Sequence, residues 1–342
     1  MTTLPSPTTP DPIDAPVLRW GILAPGGIAA AFAAALLAGT GQQIVACGSR
    51  NLDRAREFAS QFGGFTAHGS YEDLVADPNV DVVYVASPHS AHREHALLAL
   101  RAGKPVLVEK AFARNTAEAT EVIDEARSRG LFCMEAMWSR FLPRYDVVRR
   151  AVADGLLGRL DTIVADHGQL LYPNGPQRLA DPALAGGALL DLGIYPISLA
   201  AMLLDGDLQV NATGALTPEG VDRSETVVLT GNDAIATCVT TMSAQTANTA
   251  VIAGDSARLE LPGWFYQQGQ VRLVGPDDKV VDTYDPAPTQ HGLHFEAVEA
   301  ARRISAGDVE SPLMTWDETL RIMGLMDEVR AQLGVRYPGE PV

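Results

Sequence analysis

Leu18-Arg19-Trp20-Gly21-Ile22-Leu23-Ala24-Pro25-Gly26-Gly27-Ile28-Ala29-Ala30-Ala31-Phe32 reads as a short apolar strand, a glycine turn and the start of an alanine-rich helix. Dinucleotide-binding folds open on such a βα unit. Glycine permits the tight turn and lets the backbone approach a pyrophosphate at the positive end of the helix. The usual G-x-G-x-x-G reads here as Ala24-x-Gly26-x-x-Ala29. Alanine is common at the third position, whereas Ala24 at the first is a departure. Ala24, Gly26, Gly27 and Ile28 are the candidate pyrophosphate contacts. A glycine turn also joins strands to helices where no ligand binds, so the residues around it decide.

Working outward, 43–48 reads as a second buried strand ending at Ser49-Arg50, with Arg54 one turn further on. About 20 residues past such a turn, an acidic residue takes ribose hydroxyls, whereas a basic one takes a 2′-phosphate. A hydroxyl and a guanidinium at this position favour NADP(H), with NAD(H) as the alternative. The near-continuous apolar run 80–86 is that of a parallel strand covered on both faces. It stops at Ser87-Pro88-His89, where such folds place ligands. A helix over 92–101 leads to a strand over 105–108 that ends at Glu109-Lys110. A helix over 116–129 and a strand over 131–134 follow. Strand and helix alternate throughout, which predicts an α/β, Rossmann-type doubly wound parallel sheet over 17–138.

Beyond Trp138 the pattern changes. Strand-like segments at 160–165, 226–229, 235–241, 250–253, 257–261 and 270–274 alternate polar with apolar residues. They predict a second α/β domain over 139–342 built on a large, mostly antiparallel open sheet. Helices are expected at 143–153, 187–203, 295–305 and 316–332. An open sheet with an apolar face needs covering, which predicts a homodimer or a dimer of dimers.

The 342 residues carry 26 basic against 42 acidic side chains, a net charge of −16. That balance disfavours nucleic acid and anionic membranes as partners. Cys47, Cys133 and Cys238 form no C-x-x-C pair, which suits a reducing cytoplasm and gives no zinc knuckle. Residues 1–16, rich in Pro, Thr and Asp, read as a disordered tail. No apolar run is expected to reach the ~18–20 residues that span a bilayer.

Several motifs now combine. Gly21-Ile-Leu-Ala24-x-Gly26-x-Ile28-Ala29, Ser87-Pro88-x-x-x-His92, Gly103-Lys-Pro-Val-Leu-Val-Glu109-Lys110 and Asp191-Leu-Gly193-Ile-Tyr195 resemble the glucose–fructose oxidoreductase/inositol dehydrogenase family. The stretches Glu135-Ala-Met-Trp138-Ser-Arg140 and Gly186-Gly-Ala-Leu-Leu-Asp191 look most like its dihydrodiol dehydrogenase/D-xylose dehydrogenase branch. The resemblance implies hydride transfer with NAD(P), a lysine at Lys110 beside the nicotinamide and substrate, and an acid/base tyrosine at Tyr195. Ala111 stands where the family motif has proline.

Such chemistry requires a group that takes or gives the hydroxyl proton. A phenol of pKa near 10 is too weak a base at neutral pH. An ammonium ~4 Å away, at an effective dielectric of about 20, contributes roughly 4 kcal/mol, enough to lower that pKa by about three units. Lys110 and Tyr195 are therefore the catalytic candidates. Asp191 lies four residues before Tyr195, on one helical face, and either holds substrate hydroxyls or orients Lys110. Further cofactor candidates are Ser49, Arg50, Arg54, Ser87, Pro88, His89, His92, Glu109, Trp138 and Arg140. Trp138, Tyr172, Arg178 and Trp264 are candidates for the substrate pocket, with Phe265 and His294 behind them. His92 and His95 share a helix face without carboxylate or cysteine to complete a ligand set, so no metal is expected.

These residues together predict an NADP-dependent oxidoreductase. Its substrate would be a small, neutral secondary alcohol, hemiacetal or ketone of a sugar, polyol or cyclic diol. The alternatives are an NADPH-dependent ketosugar reductase and a non-catalytic NADP-binding sensor.

Overall fold

The computed structural model describes residues 3–287 and 292–340. The chain divides into two compact units, one of residues 10–141 and 290–323, the other of residues 1–9, 142–289 and 324–342.

The first unit holds β1 (Arg19–Leu23), α1 (Gly27–Gly39), β2 (Gln43–Gly48), α2 (Leu52–Gln61), β3 (Thr66–His68), α3 (Tyr71–Ala76), β4 (Val82–Val85), α4 (His92–Arg101), β5 (Val106–Glu109), α5 (Thr116–Arg129) and β6 (Cys133–Ala136). Six parallel strands run in the order β3-β2-β1-β4-β5-β6. The order reverses between β1 and β4, the point at which open α/β sheets bind ligands. Every residue of β4, β5 and β6 is buried, as the unbroken apolar runs require. Alanine, the best helix former, fills most of α1, and Phe32 fixes it to the sheet by stacking on Tyr84 at 3.8 Å.

In the second unit, α6 (Pro143–Ala153) precedes β7 (Leu160–Gly168). After a π-helical turn (Leu189–Gly193) come α7 (Ile194–Leu203), β8 (Gln209–Leu216), β9 (Asp222–Thr230), β10 (Ile235–Thr241), β11 (Ala250–Gly254), β12 (Arg258–Leu261), β13 (Val271–Val274) and β14 (Val280–Tyr284). The eight strands run β14-β13-β12-β11-β7-β10-β9-β8. All pairs are antiparallel except β7 with β10. β8 and β14, absent from the sequence expectation, are the two edges. An edge strand covers little of the core, and their burial patterns are correspondingly thin.

Four further expectations change. α8 (His294–Ala306), placed by sequence in the second domain, belongs to the first unit, where it packs on α1. The last helix, α9 (Trp316–Leu333), contributes residues to both units. The expected disordered tail is held down from residue 3 onward, Met1 and Thr2 lying outside the described residues. Leu4 N–H donates to Asp282 at 2.8 Å and Thr8 N–H to Asp146 at 2.6 Å, while the Pro16 carbonyl accepts from Gln42 at 2.7 Å. Polar, proline-rich composition signals a lack of core but does not report such remote hydrogen bonds. Finally, an apolar run of spanning length does exist. Pro182–Leu203 has 22 residues and a mean hydropathy of 1.5, but 89% of its apolar window is buried inside the fold.

Candidate active site

In the first unit the sequence candidates gather at the carboxyl edge of the sheet. Ala24 leaves β1 with φ +65°, a left-handed conformation that the usual glycine adopts without strain. Gly26 precedes α1 with no side chain capping the first helical N–H groups, which leaves donors for an anion. A Cβ on Gly27 would meet nothing within 4 Å, and one on Gly26 only the Ala24 carbonyl at 3.9 Å. Open space thus lies over the turn, as a pyrophosphate requires. At the end of β2, Asn51 caps α2 by accepting from the Asp53 and Arg54 N–H groups. Arg50 and Arg54 are exposed and form no ion pair among the described residues. They are free for a 2′-phosphate.

Ser87, Pro88 and His89 follow β4. The His92 ring spans two neighbouring loops, with Nε2 2.6 Å from the Ser87 carbonyl and Nδ1 2.8 Å from the Ala111 carbonyl. Burial pushes its pKa down to about 4. The neutral ring has one N–H and donates to one of the two carbonyls, while the ring itself sits between the loop after β4 and the one that carries Lys110. Lys110 is half-buried at the end of β5, and its peptide bond to Ala111 is cis. Glu109 turns inward to accept from the Tyr84 hydroxyl. Behind it lie two more buried carboxyls. Burial, with Glu109 and Glu135 nearby, raises Glu296 well above the usual range, and burial raises Glu135 to about 7.

Some expectations do not fit this edge. Arg140 is 3% exposed and its guanidinium pairs with Glu318 at 2.7 Å. Trp138 is buried beside it. His294 packs α8 against α1, where a Cβ on Gly39 would lie 3.1 Å from its ring. His95 sets its ring edge-on to Tyr71 at 4.6 Å.

In the second unit Asp191 sits within the π turn, not in a regular helix. The Ile194 N–H reaches back to the Leu189 carbonyl, an i→i+5 bond of the kind often found at functional sites. Arg178 pairs with Asp191 at 2.9 Å, so two candidates named separately are brought together. Asp222, buried on β9, accepts from the Leu189 N–H. It stands where a Cβ on Gly187 (φ +113°) would come within 2.2 Å, so only glycine fits there. Tyr195 opens α7 within an aromatic cluster, 4.6 Å from Tyr266 and 5.2 Å from His167 between ring centres. Trp264 meets Tyr266 edge-on at 5.8 Å and is 42% exposed, whereas Phe265 is fully buried core. Tyr172 stands apart, donating to Glu219 in a depression of about 410 Å³ lined by Pro173, Pro176 and Leu179.

Sequence reasoning missed His167, Tyr266 and Arg144. The fully buried Arg144 guanidinium donates to the carbonyls of Pro262, Trp264, Phe265, Gln267 and Gln270, and so shapes the loop that carries Trp264 and Tyr266. Its place after Pro143 at the start of a helix gave no such signal.

Residues 18–137 match the family described as "Oxidoreductase family, NAD-binding Rossmann fold", and residues 145–260 its "GFO/IDH/MocA C-terminal domain". The chain belongs to the GFO/IDH/MocA oxidoreductase family. As a member it is an NAD(P)-dependent oxidoreductase whose first unit is the NAD(P)-binding Rossmann domain. Among relatives in this family, trans-1,2-dihydrobenzene-1,2-diol dehydrogenase of Bos taurus is 37% identical over 337 residues, covering 94% of this chain and 98% of that protein. The Homo sapiens enzyme of the same name is 36% identical over 334 residues, with the same coverage of 94% and 98%. Among solved structures, the 3-ketoreductase KijD10 of Actinomadura kijaniata, in complex with TDP-benzene and NADP, superposes with a TM-score of 0.79 at 26% identity, covering 93% of this chain and 98% of that one. An aldose-aldose oxidoreductase of Caulobacter crescentus does so with 0.82 at 25% identity, covering 93% and 97%.

Proposed function

We propose that this protein is an NADP-preferring dehydrogenase that oxidises a secondary alcohol or hemiacetal of a neutral sugar, polyol or cyclic diol. The observation that carries this most directly is the likeness over 94% of the chain to dehydrogenases named for a trans-dihydrodiol, joined to an intact Lys110 and Tyr195. For the cofactor, the open turn at Gly26 and Gly27 fits a pyrophosphate, and Arg50 and Arg54, exposed and without an ion pair among the described residues, fit a 2′-phosphate. When bound, the nicotinamide supplies the hydride acceptor or donor.

The chain's own residues handle the proton. In the oxidative direction Tyr195, as phenolate, takes the hydroxyl proton while the C–H bond breaks; in the reductive direction the phenol returns it. Lys110, half-buried at the end of β5, stands where the family resemblance places the lysine beside the nicotinamide and substrate. Asp191, fixed by Arg178, accepts from a neighbouring substrate hydroxyl. Ketone reduction in the opposite direction is the second reading, favoured by the likeness to a 3-ketoreductase. The protein acts as a homodimer in the cytoplasm. Val164 and Ile235, 48% and 41% exposed on adjacent strands, offer an apolar sheet face to a second copy, and three buried, unpaired cysteines suit a reducing compartment.

Thermal-shift titration with NADP, NADPH, NAD and NADH, on the parent and on Arg50→Ala, tests the cofactor assignment. A rise in melting temperature with the phosphorylated pair that Arg50→Ala abolishes is expected. Turnover of an aldose, polyol and dihydrodiol panel then follows, with Lys110→Ala and Tyr195→Phe expected to lose it. An equal shift with NAD and NADP refutes the cofactor preference, and full turnover by Tyr195→Phe refutes the acid/base assignment.

A further inference from the structure

We propose that His167 is a positioning residue for Tyr195, tying its ring to the backbone of the π turn through a tautomer that Gln169 fixes. The proposal rests on the assignment of Tyr195 as the proton donor and acceptor. His167 lies near the end of β7, a central strand paired on both sides, and is 1% exposed. Its Nδ1 is 3.0 Å from the carbonyl of Leu192, three residues before Tyr195. Its Nε2 is 2.9 Å from Nε2 of Gln169, and the same amide nitrogen reaches the Tyr266 hydroxyl at 3.3 Å.

An amide nitrogen only donates, so His167 Nε2 accepts and Nδ1 carries the proton that goes to Leu192. Both ring nitrogens are thereby engaged, and neither is left to take a proton from the phenol. His167 acts instead through its hydrogen bond to Leu192, which seats the π turn leading into Tyr195. Its ring meets Tyr195 edge-on at 5.2 Å and 65° and stacks on Tyr266 at 4.2 Å and 29°. Tyr266 in turn lies against Tyr195 at 4.6 Å and 36°. Tyr195 is therefore bounded by two aromatic rings, His167 on β7 and Tyr266 on the loop between β12 and β13 that Arg144 shapes, and its helix is pinned to the first of them. Catalytic groups held on rigid elements by locked neighbours keep the alignment that turnover depends on.

Phenylalanine at 167 would keep the volume and the ring contacts and lose only the two hydrogen bonds. Asparagine would keep a donor near the place of Nδ1. These two variants separate positioning from packing. In the full-length, NADP-saturated enzyme, carbon-13 tyrosine NMR reports the Tyr195 ring, its resonance assigned from the spectrum of Tyr195→Phe. D-xylose and trans-1,2-dihydrobenzene-1,2-diol serve as turnover probes.

His167→Phe is expected to shift the Tyr195 resonance and to lower kcat by ~10- to 100-fold, the scale of a misplaced catalytic group, with KM for NADP unchanged. His167→Asn should restore the resonance and bring kcat to within about 3-fold of the parent. If His167→Phe fails to fold, Gln169→Leu at its half-buried position takes its place and should shift the resonance in the same way. A His167→Phe or Gln169→Leu enzyme whose Tyr195 resonance and kcat match the parent overturns the proposal. Full turnover by Tyr195→Phe is a different failure, that of the acid/base assignment itself.

Discussion

Replacing Glu135 by glutamine removes one buried ionisable group and keeps its acceptor. Glu135 is 1% exposed; Oε1 accepts from the Phe112 N–H at 3.0 Å and Oε2 has no partner. Burial raises its pKa from 4.5 to about 7 against the opposing pull of the Phe112 N–H, Arg140 and Lys110. An acid whose pKa is higher in the folded than in the unfolded chain binds its proton more tightly when folded. Its contribution is kept below the unfolded value and lost as pH rises through the folded one. At about 1.36 kcal/mol per pH unit, the ionised form costs the fold about 3.4 kcal/mol at pH 9 and about 0.8 kcal/mol at pH 5. Glutamine does not ionise. Its amide N–H groups lack a partner at either pH, so that penalty cancels when the two conditions are compared. Urea unfolding of both proteins at pH 5 and pH 9 should show the stability difference moving in favour of Glu135→Gln by about 2.5 kcal/mol. A difference that is the same at both values would refute the claim that Glu135 titrates within the fold.

Three further outcomes are expected. Ala24→Gly relieves a left-handed alanine at φ +65° and should raise stability by about 1 kcal/mol in thermal unfolding, with NADP affinity retained. Arg144→Lys cannot reach the five carbonyls that the guanidinium serves, so denaturant unfolding should show a loss of about 3 kcal/mol; unchanged stability would make that network idle. Val164→Asp places a charge on the exposed sheet face and should yield a monomer by size-exclusion with light scattering, whereas a parent that is itself monomeric would sink the dimer.

The parallel sheet was legible because its signals are local. Unbroken apolar runs, a glycine turn and an alanine-rich helix specify β1, α1 and β4 from a few adjacent residues each, and the strand ends then point to Ala24–Ile28, Ser87–His92 and Glu109-Lys110. The edges of the second sheet were not legible, since β8 and β14 bury too little to impose an alternation. The helix expected over 187–203 hid a π turn, which depends on Asp222 reaching the Leu189 N–H from 33 residues away.

Residue roles divide along the same line. Lys110, Asp191 and Tyr195 could be proposed from the sequence because short motifs carry them. His167, Arg144, Arg140 and His294 took their places only in the folded chain. A histidine is a surface residue, a ligand or a strut according to what meets its two nitrogens, and for His167 one partner lies 25 residues away. A guanidinium is available or committed according to whether a remote group such as Glu318 reaches it. Periodicity and turn chemistry are written into neighbouring residues; burial, pairing and tautomer arise only when distant segments pack.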